Sequence, residues 1–261
     1  MHTLYESDDL LNQYLLFHYA SKERLFPYNF PISEALDFSK RCVWEGVDFD
    51  LLPNKARALD LGCSVGRSAF EMTQMFDSVV GIDYSETFID AAKILKNTGR
   101  LAVDRLVSGL QSISEEVVLE PDVQRDRVSF EVGNAENLRE DLGDFDCVLA
   151  CNLICRLSNP KALLDRLSSL VRPNGQLFMT TPFTWLESFT PKDRWLGANA
   201  EDSFSGLREA LEGQGGFKLL KSWDMPFLIR EHSRKFQFSI AQASRWVRID
   251  CLLYTSDAAD E

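Results

Sequence analysis

Two carboxylates and two glycines define the chemistry this sequence could do. One set stands in Asp60-Leu-Gly62-Cys63-Ser64-Val-Gly66, directly after the short apolar run Ala58-Leu59. The other acid closes Val79-Val-Gly-Ile-Asp83, followed by Tyr84-Ser85, about 20 residues further on. A buried strand ending in a glycine turn aims the free N–H groups of the next helix at whatever sits above the sheet. Gly62 and Gly66 are where the backbone needs positive φ or close approach to a ligand. The spacing Asp60-x-Gly62-x-x-x-Gly66 differs from the G-x-G-x-x-G of dinucleotide sites. A pyrophosphate favours a bare, positive helix end; a carboxylate at Asp60 opposes it and suits a cationic or hydroxyl-bearing ligand. Asp83, ending a second strand, is placed to accept from a ribose diol. Its structural alternative is to cap the next helix, a task Ser85 could also perform.

The loop resembles the D/E-x-G-x-G-x-G motif of class I S-adenosylmethionine-dependent methyltransferases, with Ser64 where the middle glycine usually stands. The resemblance implies S-adenosylmethionine as cofactor, held by Asp60, Gly62, Cys63, Gly66, Asp83 and Tyr84. Cys63 is expected to pack beside it and not to act as a nucleophile. A third strand, Arg127-Val-Ser-Phe-Glu-Val, leads into Gly-Asn134-Ala135-Glu136, where that family often reads Gly-Asp-Ala near the adenine amino group. Asn134 keeps a hydrogen-bonding amide there but loses the charge. Asn152, at the end of a fourth strand over residues 144 to 152, should face the transferred methyl, because open α/β sheets bind ligands outside their strands' carboxyl ends.

Strands alternating with helices over residues 57 to 182 indicate a parallel, doubly wound sheet. A helix over 86 to 96, another over 160 to 171 and a fifth strand over 176 to 182 belong to that alternation. Strands over 217 to 223 and 235 to 246 would pair as an antiparallel edge, completing a Rossmann-like, mostly parallel sheet of seven strands as in the methyltransferase fold. Residues 1 to 56 are expected as a helical extension, with an amphipathic segment over 10 to 19 capped by Ser7 or Asp8 and acting as a lid, then a helix from 33 to about 42. Residues 57 to 250 form the methyltransferase domain in this division. The insertion at 98 to 126 reads as a helix and a loop over the crevice mouth. The last eleven residues, 251 to 261, look like a translated sequencing-library transposon adapter and are expected as a disordered tail outside the fold.

A chain of 261 residues, 45% hydrophobic, can core one domain with an extension and need not divide further. Its net charge of −12 gives no general attraction for nucleic acid or an anionic membrane. Without an apolar run of membrane-spanning length or a basic-then-apolar leader, a cytoplasmic location is expected. Six cysteines without framework spacing suit a reducing compartment. Cys147, Cys151 and Cys155 recur every four residues, yet the first two share a strand face and no histidine or fourth cysteine completes a ligand set, so no metal is expected.

A closer resemblance lies in Tyr5-Glu-Ser-Asp-x-Leu-Leu-x-x-Tyr14-Leu-Leu-Phe-His18-Tyr19, Asn152-Leu-Ile-Cys-Arg156-Leu, and Thr181-Pro-Phe-Thr-Trp185-Leu-Glu187 with Phe189-Thr-Pro-Lys192. It continues in Trp195-Leu-Gly and Pro226-Phe-Leu-Ile-Arg230-Glu231-His-Ser-Arg-Lys-Phe-Gln. These stretches resemble the mercaptohistidine N-methyltransferase family, which also forms the C-terminal part of bifunctional ovothiol-synthesis enzymes. The resemblance covers nearly all of residues 4 to 248 and implies methylation of one imidazole nitrogen of a thiol-bearing histidine, giving ovothiol A. A separate sulfur-inserting enzyme is expected to supply that substrate.

Methyl transfer needs a neutral ring nitrogen held about 3 Å from the methyl with orbitals aligned, and no covalent enzyme intermediate. The substrate's thiolate is the stronger nucleophile, so positioning matters more than a strong base. Arg156 and Arg230 could grip the carboxylate or thiolate, and Glu187 or Glu231 could pair the ammonium. Tyr5, Tyr14, Tyr19 and Trp185 could wall the imidazole and stabilise the cationic donor. His18 and Glu187 are the candidate proton acceptors. Two alternatives stay open: a methyltransferase for another small acceptor, and a module that keeps the crevice without turnover, to which Ser64 and Asn134 at motif positions point. A nicotinamide oxidoreductase is disfavoured by the glycine spacing.

Overall fold

The computed structural model describes residues 5–198, 200–213 and 216–249. Helices α1 (Asp8–Tyr19), α2 (Lys22–Leu25) and α3 (Phe38–Trp44) precede β1 (Arg57–Leu61), α4 (Arg67–Met72), β2 (Ser78–Asp83) and α5 (Glu86–Thr98). There follow β3 (Arg100–Ser108), β4 (Gln111–Val118), β5 (Val128–Val132), β6 (Phe145–Cys151), α6 (Pro160–Leu170) and β7 (Val171–Thr181). The chain then continues through α7 (Ser203–Glu212), β8 (Phe217–His232) and β9 (Lys235–Arg248). Residues 251 to 261, read above as an adapter-derived tail, lie outside the described residues.

Seven strands form one sheet in the order β5-β2-β1-β6-β7-β9-β8, parallel except where β9 runs against β7 and β8. This is the expected seven-stranded, Rossmann-like α/β fold. Ala58, Leu59, Leu61, Cys147, Val148 and Leu149 are fully buried, as strands covered on both faces require. The chain winds from β1 to β2 on one side and returns to β6 on the other, so β1 is the point where strand order reverses. In open α/β sheets this reversal is where the ligand crevice lies, outside the carboxyl ends. Leu61 is in register with Ile82 and Ala150, which brings the ends of β1, β2 and β6 to one level.

Two elements differ from the sequence-based expectation. Residues 33 to 42 do not make one helix: a 3-10 turn at Ser33–Ala35 is separated from α3 by Asp37, whose φ of 53° interrupts helical geometry. The insertion expected as helix and loop is an antiparallel hairpin, β3 paired with β4. Its apolar residues alternate with period two: Val103 and Val117 turn inward and are buried, while Leu110 at the Gly109 turn is fully exposed. Adjacent Leu106 and Val107 blur that alternation in the sequence. The hairpin packs against α1 and β8. Among the described residues, no helix is long and apolar enough to cross a membrane, and no cluster of His, Cys, Asp and Glu could hold a metal.

Candidate cofactor and acceptor site

The loop after β1 is built on positive φ angles at Gly62 (71°), Ser64 (50°) and Gly66 (88°). A Cβ at Gly66 would stand 2.8 Å from the Phe130 ring, so close packing demands glycine there as well as the dihedral does. Ser64 carries the left-handed conformation at a cost of about 1 kcal/mol. Its N–H donates to Asp83 Oδ2 at 2.8 Å, and the Ser85 N–H donates to Asp83 Oδ1 at 2.9 Å. Asp83 thus ties the glycine loop to the turn after β2, and each carboxylate oxygen keeps a second lone pair for a ligand hydroxyl. Capping of α5 falls to Ser85, whose Oγ accepts from the Phe88 N–H.

Beneath the loop Asp60 is 1% exposed. Burial, opposed by a Ser68 hydroxyl bond and assisted by the nearby Asp83 charge, pushes its carboxyl up to about 7. Its Oδ2 and the Ser64 Oγ are both buried with no hydrogen-bond partner. Unsatisfied acceptors beside a positive-φ turn are what a cationic, hydroxyl-bearing group would complete. Burial also raises the Cys63 thiol well above its usual range, which keeps it protonated and unreactive. The Gly133 N–H donates to the Asp83 carbonyl, setting Asn134 and buried Ala135 beside the end of β2. Asn134 Oδ1 accepts from the Glu136 N–H. Asn152 (φ 52°) accepts from the Thr180 hydroxyl through its side-chain oxygen. A Cβ at Gly62 would lie 3.1 Å from Leu153, so the turn after β6 touches the glycine loop.

The N-terminal segment closes over this crevice. Tyr5 meets Tyr14 (ring centroids 6.3 Å), Phe88 (6.0 Å) and Phe189 (6.4 Å), and Tyr14 lies 5.0 Å from Phe88. The Arg156 guanidinium sits 5.1 Å above the Phe189 ring, and one of its nitrogens donates to the carbonyls of Thr184 and Cys155. Burial raises the Tyr5 phenol, against the opposing charge and hydrogen bond of Arg156. Tyr14 is raised further, again by burial first, so both phenols stay protonated and able to donate. At the other end of α1, the Tyr19 hydroxyl donates to the Val65 carbonyl of the glycine loop at 2.7 Å, with the Arg67 guanidinium 5.4 Å from its ring. His18 lies between, 6.1 Å from the rings of both Tyr14 and Tyr19, with Nδ1 shielded and unpartnered. Burial, and secondarily the Arg67 charge, lower its imidazole to about 3.

Glu6 fixes the front of this cover. Its carboxylate accepts from the N–H groups of Glu86 and Thr87 and from the Thr87 hydroxyl, at the positive end of α5, while the Tyr5 carbonyl accepts from Ser85 Oγ. Glu6→Ala is expected to lower the unfolding free energy by about 1 kcal/mol and to speed cofactor release several-fold. Urea melts and stopped-flow dissociation would register the two effects, and an unchanged release rate would show that Glu6 holds no cover.

Other residues singled out in the sequence stand elsewhere. Trp185 stacks on Trp195 (6.3 Å, 15°) and donates its indole N–H to Ser203, turned onto the start of α7. Glu187 is 64% exposed and paired with Lys192, a surface position unsuited to a proton acceptor in the crevice. Arg230 is 1% exposed, donates to the Leu106 carbonyl and lies over Phe236, beneath the β3/β4 hairpin. Glu231 pairs with Lys235 at the β8/β9 turn. Tyr84 is 49% exposed at the rim. Sequence reasoning missed Glu6, Arg67, Phe88 and Phe189. Arg67 stands next to Gly66, and Glu6 and Phe189 lie within the resembling stretches, but none of these signals gave a role.

A family model described as a methyltransferase domain matches residues 32–243. The chain is 28% identical over 138 residues to a ubiquinone biosynthesis O-methyltransferase of Xanthomonas axonopodis pv. citri (strain 306), covering 52% of this chain and 47% of that protein. It is 30% identical over 125 residues to the protein of that name from Rhodopseudomonas palustris (strain HaA2), covering 48% and 39%. The chain therefore spans about half the length, or less, of these curated relatives. Among solved structures it resembles magnesium protoporphyrin IX methyltransferase from Synechocystis PCC 6803 with bound SAH (TM-score 0.55, 16% identity, 95% and 97% covered). It also resembles SpnF, a 4+2 cyclase (TM-score 0.58, 15% identity, 93% and 94% covered). At these identities the likeness is one of fold.

Proposed function

Because the chain belongs to the methyltransferase-domain family, whose cofactor is S-adenosylmethionine, we propose that it methylates an imidazole nitrogen of a mercaptohistidine, forming ovothiol A. One observation carries the acceptor. The stretches that resemble mercaptohistidine N-methyltransferases are far apart in sequence, yet Tyr5 and Tyr14 from the first, Arg156 from the second and Phe189 from the third meet in one cluster beside Asp83. That cluster suits a small zwitterion with an aromatic ring: one guanidinium, two protonated phenols and the walls of Phe88 and Phe189.

When bound, S-adenosylmethionine supplies an electrophilic methyl on a sulfonium. Asp83 would accept from its ribose hydroxyls, and Asp60 would provide negative charge beneath the cationic ligand. Arg156 holds the acceptor's carboxylate or thiolate by charge-assisted hydrogen bonds, turning sulfur away from the reacting position. Tyr5 and Tyr14 donate to the acceptor and, with Phe88, exclude water. Holding the neutral ring nitrogen in line is then sufficient, without a strong base. In this reading the substrate is the product of a sulfur-inserting reaction upstream.

The test is direct. With S-adenosylmethionine, mercaptohistidine should gain the mass of one methyl group, and histidine none. A catechol-type phenol, included because the curated relatives are named as O-methyltransferases, should also gain none. Preferential methylation of the phenol or of histidine would overturn the proposed acceptor.

A further inference from the structure

His18 is a polar group of this cover to which the proposed function gives no task. Its ring lies 6.1 Å from that of Tyr14, a member of the acceptor cluster one turn earlier on α1, and 6.1 Å from that of Tyr19, whose hydroxyl anchors the helix to Val65. The helix is fixed at its other end through Glu6 and the Tyr5 carbonyl, so the imidazole is held in place and not left to wander. Its Nδ1 is shielded from solvent and has no partner, while rings of Tyr14, Phe17 and Tyr19 surround it. A shielded, unpartnered ring nitrogen leaves its desolvation uncompensated unless a ligand completes it. Burial first, and then the charge of Arg67 at the start of α4, disfavour an imidazolium there. A histidine held neutral is a poor base and a good fixed acceptor.

We infer that His18 Nδ1 accepts the N–H of the acceptor's azole ring, and thereby selects which ring nitrogen is methylated. The inference rests on the proposed azole acceptor. A neutral imidazole carries one N–H and one bare nitrogen. Holding the N–H against His18 leaves the bare nitrogen to supply the electron pair for the new N–C bond, as the sulfur–methyl bond breaks and its electron pair returns to sulfur. The ring becomes cationic and keeps its N–H, so the bond to Nδ1 strengthens as charge develops. The proton leaves to solvent after transfer. His18 does not take it, being a positioning residue. This role requires the His18 tautomer protonated at Nε2.

The experiment compares His18→Phe, which removes the acceptor at similar size, with His18→Asn, whose side-chain oxygen falls near the position of Nδ1. With mercaptohistidine, His18→Phe should lose roughly 30-fold in kcat and give a mixture of ring-nitrogen isomers or S-methyl product. Calorimetry should show its S-adenosylmethionine affinity unchanged within about threefold, which reports on folding. His18→Asn should keep a single isomer, with kcat reduced only about fivefold. A single isomer at wild-type kcat from His18→Phe would overturn the inference. If wild-type protein methylates no mercaptohistidine, the proposed acceptor fails. The His18 ring-nitrogen resonance then decides this inference separately: it should move on adding an imidazole-thiol probe, and an unmoved resonance overturns it.

Discussion

Asp83→Ala is expected to weaken S-adenosylmethionine binding by about 100-fold or more, measured by calorimetry. Two effects combine. A carboxylate facing a ribose diol makes charge-assisted hydrogen bonds, each contributing about 1.5–3 kcal/mol, and about 1.4 kcal/mol corresponds to tenfold in affinity. The same carboxylate also holds the Ser64 and Ser85 N–H groups, at 2.8 and 2.9 Å, so its loss releases the glycine loop from β2. Ser64 would then lack the bond that opposes its unfavourable φ of 50°. Asp83→Asn separates the contributions. Its amide keeps one acceptor oxygen, so about a tenfold loss is expected, with most of the loop order preserved. Unchanged affinity in Asp83→Ala would remove the ribose role.

What the sequence made legible was local. The strand, turn and helix start around Asp60–Gly66, and the second acid one strand later, are separated by short stretches whose periodicity shows directly. The sheet order followed because alternating strands and helices leave few topologies. The β3/β4 hairpin was obscured because only Val103 and Val117 are deeply buried, and the exposed Leu106 and Leu110 fill in an apparent helical spacing. The cover was legible in residue type but not in arrangement. Glu6 finds its partners 80 and 81 residues away at α5, and Arg230 finds the Leu106 carbonyl 124 residues away. Such contacts are set by how the hairpin and α1 dock, which a single sequence does not display. Tyr5, Tyr14 and Arg156 converge, whereas Arg230, equally cationic, is sealed beneath the hairpin.

The second large effect concerns Asp60. Its carboxyl titrates near 3.8 when solvated and about 7 in the fold, with burial as the main cause. The folded-state value is the higher one, so below the lower value both states are protonated and this group costs the fold nothing. Between the two values the unfolded chain has already released its proton while the native protein still holds one, and above the folded value the difference no longer grows. Stability is therefore lost across this window, by about 4 kcal/mol between roughly pH 4 and pH 7. Urea unfolding of ligand-free protein should show this slope as the difference between wild type and Asp60→Asn, which cancels the carboxylates they share. A bound cation reverses the preference, because the ionised form is the one that attracts it. S-adenosylmethionine affinity should consequently rise with pH up to about 7, by at most tenfold per unit, and proton release should accompany binding. In Asp60→Asn both the slope and the proton release should vanish. If the variant keeps the wild-type pH dependence of binding, the charge beneath the glycine loop plays no part in holding the cationic ligand.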